Sequence, residues 1–385
     1  MIQKRTAYSY TAVLVLLILV SGVQAAETYS YVTQWGSLGN ATGQFDMPVG
    51  IATDASGNVY VADSNNDRIQ KFTSDGTFLD EWGSAGTADG SFYVPFGIAT
   101  DSAGNVYVTD NNNDRVQKFT SDGTFLDKWG SWGSGNGSLK YPWGVAIDAT
   151  GNVFIVDNSN FRIQKFTSDG TYITKWGSFG SADGQFNYPA GIAVDASGNV
   201  FVVDSYNNRV QKFDSYGTFL TAWGIYGPNN GEFRYPGGIA VDTDGNIYVT
   251  DTGNDRVQKF DSDGTFLTAW GSPGSGDGQF QSPTGIALDA SGNVYVGEYG
   301  NNRIQKFALQ PAVEPLPGLT NPPTDPDNDG LYEDLSGNGE AGFNDVVLFF
   351  KQIDWIAENE PVSAFDFSGN GEIGFQDIVS LFRGL

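Results

Sequence analysis

The sequence contains no cysteine and no histidine, and only two methionines in 385 residues. Without thiols there is neither a disulfide framework nor a thiolate nucleophile, and without imidazoles there is no Ser-His-Asp triad and no His or Cys set for zinc. Basic residues are scarce as well: 20 Lys and Arg stand against 45 Asp and Glu, a formal net charge of −25. Nucleic-acid affinity comes from cations that neutralise phosphates, and the few present do not cluster, so no nucleic-acid partner is expected. Such acidity keeps a chain soluble and favours cations such as Ca²⁺.

A long apolar run occurs only near the start. Lys4 and Arg5 precede "AVLVLLILV" (Ala12 to Val20), followed by small residues to Ala25 and Ala26. That is the layout of a secretory signal over residues 1–26, and the run is too short to favour a permanent membrane span. The body is therefore expected outside the cytoplasm, extracellular or on the cell surface, with membrane contact only through this segment if it is not cleaved.

What is abundant is glycine, at 51 residues, interleaved with Val, Ile, Tyr and Phe, a pattern of tight turns between short strands. Trp35, Trp82, Trp129, Trp176, Trp223 and Trp270 recur at one fixed period, 47 positions in the 35-to-82 step and in each later one. A period of this size identifies a repeat architecture. Within a unit such as "GIATDASGNVYVADSNNDRIQKFTSDGTFLDEW" (Gly50 to Trp82), two apolar strands flank the turn "ASGN". A polar loop leads to an alternating third strand, and "SDG" leads to a fourth that ends on Trp82. Four antiparallel strands per unit predict an all-β fold, a six-bladed β-propeller over residues 28–310. The sixth unit stops before its fourth strand, whereas "YSYVTQW" (Tyr29 to Trp35) has the form of that strand with no unit before it. The first strand should therefore close the sixth blade, leaving no free blade edge and confining recognition to the propeller faces or the C-terminal module.

The pattern P-x-G-[IV]-A-x-D-x-x-G-N-[VI]-[YF]-[VI]-x-[DE] followed by N-x-R-[IV]-Q-K-F resembles the NHL repeat, a six-bladed propeller module. The resemblance implies a recognition scaffold, although the family includes a peptide-amidating lyase and RNA-binding members attached to ubiquitin ligases. This chain lacks the histidines of the first and the basic face of the second.

Residue types found in every blade are read as structural. Asp63 with Arg68, and its equivalents Asp110 with Arg115, Asp157 with Arg162, Asp204 with Arg209, Asp251 with Arg256 and Glu298 with Arg303, should pin one loop per blade, as bidentate pairs. The six tryptophans should pack between blades. Function is expected where blades differ, in the connections between them, which present Tyr93, Phe96, Lys140, Tyr141, Trp143, Tyr188, Arg234 and Tyr235. Rings with two cations suit a sugar or peptide. Two sequons, at Asn40 and Asn136, also fall in these connections.

Residues 311–324 form a proline-rich spacer. In 325–385, "DLSGNGEAGFND" from Asp334 is echoed by "DFSGNGEIGFQD" from Asp366, each followed by an apolar stretch. Oxygen-bearing residues at positions 1, 3, 5, 7 and 12 and glycine at 6 meet the needs of a helix-flanked calcium loop. The ligands are Asp334, Ser336, Asn338, Glu340 and Asp345, then Asp366, Ser368, Asn370, Glu372 and Asp377. Asp325, Asp327 and Asp329 form a less regular third candidate. This small α-helical calcium-loop domain resembles a type I dockerin, which implies Ca²⁺ as cofactor and a cohesin-like protein as partner.

Together these features predict a secreted, non-enzymatic binding protein whose propeller recognises protein or carbohydrate and whose C-terminal module docks it to a partner. The alternatives are a structural envelope component and a propeller lyase or hydrolase in polysaccharide breakdown.

Overall fold

A computed structural model describes residues 28–310 and, beyond them, only Phe349, Gln352, Ile353, Ile356, Ala357, Phe365, Ile373 and Asp377. The signal segment, the spacer and almost all of the calcium-loop region lie outside the described residues.

Among the described residues, the strands form six four-stranded antiparallel sheets. In the first blade they are Pro48–Thr53, Val59–Asp63, Arg68–Phe72 and Phe78–Trp82, running from the central axis outward. The second strand is buried along its whole length because both of its faces meet neighbouring blades, which explains its run of consecutive apolar residues. The other blades repeat this order, except that the inner strand of blade five shrinks to Ile239–Val241, preceded by Gly237 and Gly238.

The expected closure is present. Tyr29–Trp35 pairs antiparallel with Arg303–Leu309, from Tyr29 opposite Leu309 to Trp35 opposite Ile304, and supplies the outer strand of blade six. The inference that closure leaves no free blade edge is corrected: among the described residues, every sheet still ends on its outermost strand, with nothing paired on that strand's far side. Closure completes a blade; it does not cover the circumference. Those edges are protected by being only five to seven residues long.

The core consists of interfaces between blades. Ala52, Tyr60, Ala62 and Ile69 of the first blade, for example, pack against Phe92, Ile98, Val106, Val108 and Phe119 of the second. The tryptophans seal these interfaces as expected. Trp82 lies over Gly123 in the next blade's outer turn, where a Cβ would come within 2.7 Å of the indole and the backbone has φ +80°. Only glycine fits there. Blade six has no such turn, and at that junction Tyr29 stacks on Trp270, with ring centroids 4.3 Å apart and planes at 20°. Its hydroxyl pairs with that of Tyr248 at 2.7 Å. A second glycine requirement lies at the axis, where a Cβ on Gly50 or Gly97 would collide with the carbonyl oxygen of Phe96 or Trp143 on the next inner strand.

Candidate functional site

The connections between blades and the loops after each second strand lie at one end of the molecule, because Pro48 at the start of an inner strand sits opposite Asp63 at the end of the second. That end is held rigid by a buried carboxylate hub. Asp63 accepts hydrogen bonds from the Asp46 amide (2.8 Å), Asn66 Nδ2 (3.0 Å), Arg68 Nε (2.7 Å) and Gln70 Nε2 (3.0 Å). The Arg68 guanidinium also donates to the Ala41 and Gln44 carbonyls, and Gln70 donates to Gln44, so one carboxylate fixes the whole incoming connection. The expected bidentate geometry is corrected: Arg68 gives the Asp63 carboxylate only its Nε, because its Nη2 serves the two backbone carbonyls and its Nη1 pairs with Glu81 at 3.0 Å. The same Nε contact recurs in the other blades, at 2.7 Å for Arg115–Asp110 and 2.6 Å for Arg162–Asp157. Glu298 takes the aspartate's place opposite Arg303.

Burial raises the carboxyl pKa of Asp63, Asp110, Asp157 and Asp204 above the ordinary value, outweighing the donors and arginines that oppose it. These carboxyls belong to the frame and face no open cavity.

The axial channel is lined by one aliphatic side chain per blade, Ile51, Ile98, Val145, Ile192, Ile239 and Ile286, with Val49, Thr284 and inner-strand glycines. No titratable group is among its lining residues. Phe96 and Trp143 also line it, with ring centroids 4.6 Å apart, and Phe96 is buried. The eight sequence-predicted face residues therefore separate. Phe96 and Trp143 belong to the channel mouth, while Tyr93, Tyr141, Tyr188 and Tyr235 are exposed around it. Lys140 lies over the exposed Trp132 ring at 5.9 Å, and Arg234 is exposed beside Tyr235. Asn40 and Asn136 are exposed in their connections.

The structure also shows a contiguous aromatic strip that sequence reasoning caught only in part. Phe179 contacts Phe161 (centroids 4.9 Å), Phe161 contacts Tyr188 (5.2 Å), Tyr188 contacts Tyr206 (5.0 Å), and Tyr206 contacts Tyr235 (5.6 Å). The strip runs from blade three to blade five. The signal for the missing members was in the repeat itself. Phe161 stands where the other blades have Asp67, Asp114, Asn208, Asp255 and Asn302, and Tyr206 stands where they have Asn65, Asn112, Ser159, Gly253 and Gly300. The connections alone do not reveal them, because these two positions lie in the loops after the second strands.

Phe161 is unusual in two respects. Its position has φ +55°, a left-handed conformation that the Asp and Asn of the other blades tolerate better than a bulky ring does. Those Asp and Asn side chains also accept a hydrogen bond from the next connection, as from the Val94 amide to Asp67 (2.7 Å), the Tyr141 amide to Asp114 (2.9 Å) and the Tyr235 amide to Asn208 (2.9 Å). A phenyl ring has no acceptor to offer Tyr188, a loss of about 0.5–1.5 kcal/mol for a typical hydrogen bond.

Of the predicted calcium ligands, only Asp377 is among the described residues, where it is buried and helical. Asp325, Asp327, Asp329, Asp334, Ser336, Asn338, Glu340, Asp345, Asp366, Ser368, Asn370 and Glu372 lie outside them. Among the described residues there is no group of three or more acidic side chains placed to hold a metal ion.

This geometry defines a class: a rigid six-bladed β-propeller with an apolar channel and a varied aromatic end. The repeats give it a family, since residues 45–72, 92–119, 139–166, 186–213, 233–260 and 280–307 each match the NHL repeat, and the chain is thus an NHL-repeat propeller. Among solved structures it is similar to a Bacteroides thetaiotaomicron protein of unknown function, with TM-score 0.59 and 21% identity, over 74% of this chain and 76% of that one. It is also similar to a streptogramin B lyase (TM-score 0.52, 18% identity, 74% of this chain and 98% of that one). A third similarity is to a gluconolactonase from Xanthomonas campestris (TM-score 0.53, 14% identity, 74% and 99%). At these identities the likeness is one of fold. No curated protein matches the sequence.

Proposed function

We propose that this chain is an exported, non-enzymatic recognition protein: the connection end of the propeller binds carbohydrate or protein, and the C-terminal module, folded around Ca²⁺, docks it to a partner of cohesin type. The observation that carries the reading is the contrast between a repeated frame and one end where exposed rings break the repeat. Rigid aromatics on a fixed scaffold give contact area at small entropic cost. The aliphatic channel supports a binding role over catalysis there, because acid–base chemistry needs a titratable group within hydrogen-bond reach of the reacting atoms.

The test is a screen of the full chain on glycan and peptide arrays, with Tyr141→Ala and Trp143→Ala made together. Binding by the wild type that falls about tenfold or more in the double variant, at unchanged circular dichroism, is expected. A wild-type protein that binds nothing on either array while fractionating with the cell envelope would instead support the structural role.

A further inference from the structure

We infer that the strip Phe179–Phe161–Tyr188–Tyr206–Tyr235 is a binding strip for a neutral polysaccharide chain, a proposal that rests on the recognition reading and assigns it a site and a ligand class. Three observations converge on it. The first is continuity: five rings in sequence touch from blade three to blade five, and four of them, Phe179, Tyr188, Tyr206 and Tyr235, are between 42% and 64% exposed.

The second is the cost of Phe161. The other blades show what this position requires for the fold, a small polar residue that tolerates positive φ and accepts the next connection's amide. Phe161 forgoes both, so its ring is explained by what lies outside the propeller. Tyr206 repeats the logic more mildly, since glycine or a small polar residue suffices in the other blades.

The third is chemistry. Consecutive rings are inclined by 49° to 74°, so none is stacked flat on its neighbour, and the four exposed rings remain open to the C–H side of a sugar ring. Three of the five carry phenolic hydroxyls, and the neutral amide of the half-buried Asn187 lies beside Tyr188 in sequence. The strip itself contains no charge, and Arg234 flanks one end of it. A net charge of −25 repels polyanions. An uncharged polyhydroxylated chain is what such a surface complements.

The experiment uses the full chain in affinity electrophoresis through gels containing hydroxyethylcellulose, xylan or galactomannan, with a proline-rich peptide titrated separately. Phe161→Asn restores the repeat's own residue, and Tyr206→Gly matches Gly253 and Gly300. The expected result is retardation of the wild type by at least one polysaccharide and about a tenfold loss of affinity in each variant, with the melting temperature of Phe161→Asn unchanged or raised. Wild-type binding that both variants retain would overturn the strip while leaving face recognition intact. So would a Phe161→Asn variant that melts lower while Tyr206→Gly binds normally, since the ring would then be structural. Binding of the peptide alone would overturn the ligand class, and no binding to any probe here or on the arrays would overturn both readings.

Discussion

Asp54 and Asp63 lie nine positions apart in one blade and titrate in opposite directions. At Asp54 burial pushes the carboxyl up, but hydrogen bonds from the Asn58 side chain and amide, the Tyr60 hydroxyl and the Ser56 amide prevail and lower it. Asp101 and Asp148 behave likewise in their blades. A carboxyl lowered by folding contributes stability that is complete above its unfolded value, 3.8, and is lost as pH falls through its folded value. The raised hub carboxyls act with the other sign, their contribution shrinking as pH rises from 3.8 toward their folded values. Replacing Asp54, Asp101 and Asp148 together by Asn should therefore flatten the loss of melting temperature below about pH 4 relative to wild type. Parallel acid limbs for the two proteins, in a pH series of thermal melts, would contradict this. Such pairing was partly legible in the sequence: "D-x-x-G-N" announces a turn, and Asp with Arg five positions on announces a pair. That Arg68 shares itself with two carbonyls was not legible, because the partners, Ala41 and Gln44, belong to a connection whose path is set only by the fold.

At the scale of the element, the strands were largely legible, since their apolar patterns and turn glycines recur in unit after unit. The function of Tyr29–Trp35 was legible for the same reason, as a fourth strand without a unit before it. Its chemistry was not, because the repeat supplies no precedent for Tyr29 taking the place of the turn glycine over Trp270. Tyr29→Ala should cost about 3–5 kcal/mol, the range for losing a buried aromatic ring, and deletion of residues 28–36 should cost more. Both are read from urea unfolding; unchanged midpoints would refute the closure. The face residues were legible only in part. Tyr188 and Tyr235 were visible because the connections vary openly, whereas Phe161 and Tyr206 sit inside loops that otherwise look alike.

For the whole molecule, the architecture follows from one number, the period, while the free outer edges do not, because the repeat pattern describes closure around the ring and is silent about the radial direction. Each sheet necessarily ends somewhere, and in a propeller it ends at the circumference. The C-terminal module, whose proposed ligands lie almost wholly outside the described residues, is tested by calorimetry. Two transitions are expected in calcium, with chelator abolishing the one assigned to 325–385 and leaving the propeller transition in place. A trace indifferent to chelator would remove Ca²⁺ from the account.

The pairing of Tyr29 with Leu309 also fixes an order in time. During synthesis the first strand of the propeller to be made is the last to find its partner. At the usual rate of chain elongation, roughly 5–20 residues per second, it waits tens of seconds while five blades assemble beside it. Any interruption before residue 303 yields a chain with an unsatisfied seven-residue strand at one end and an open interface at the other. Arrival of the final strand thus acts as a completeness check, distinguishing finished molecules from truncated ones by whether the ring can shut.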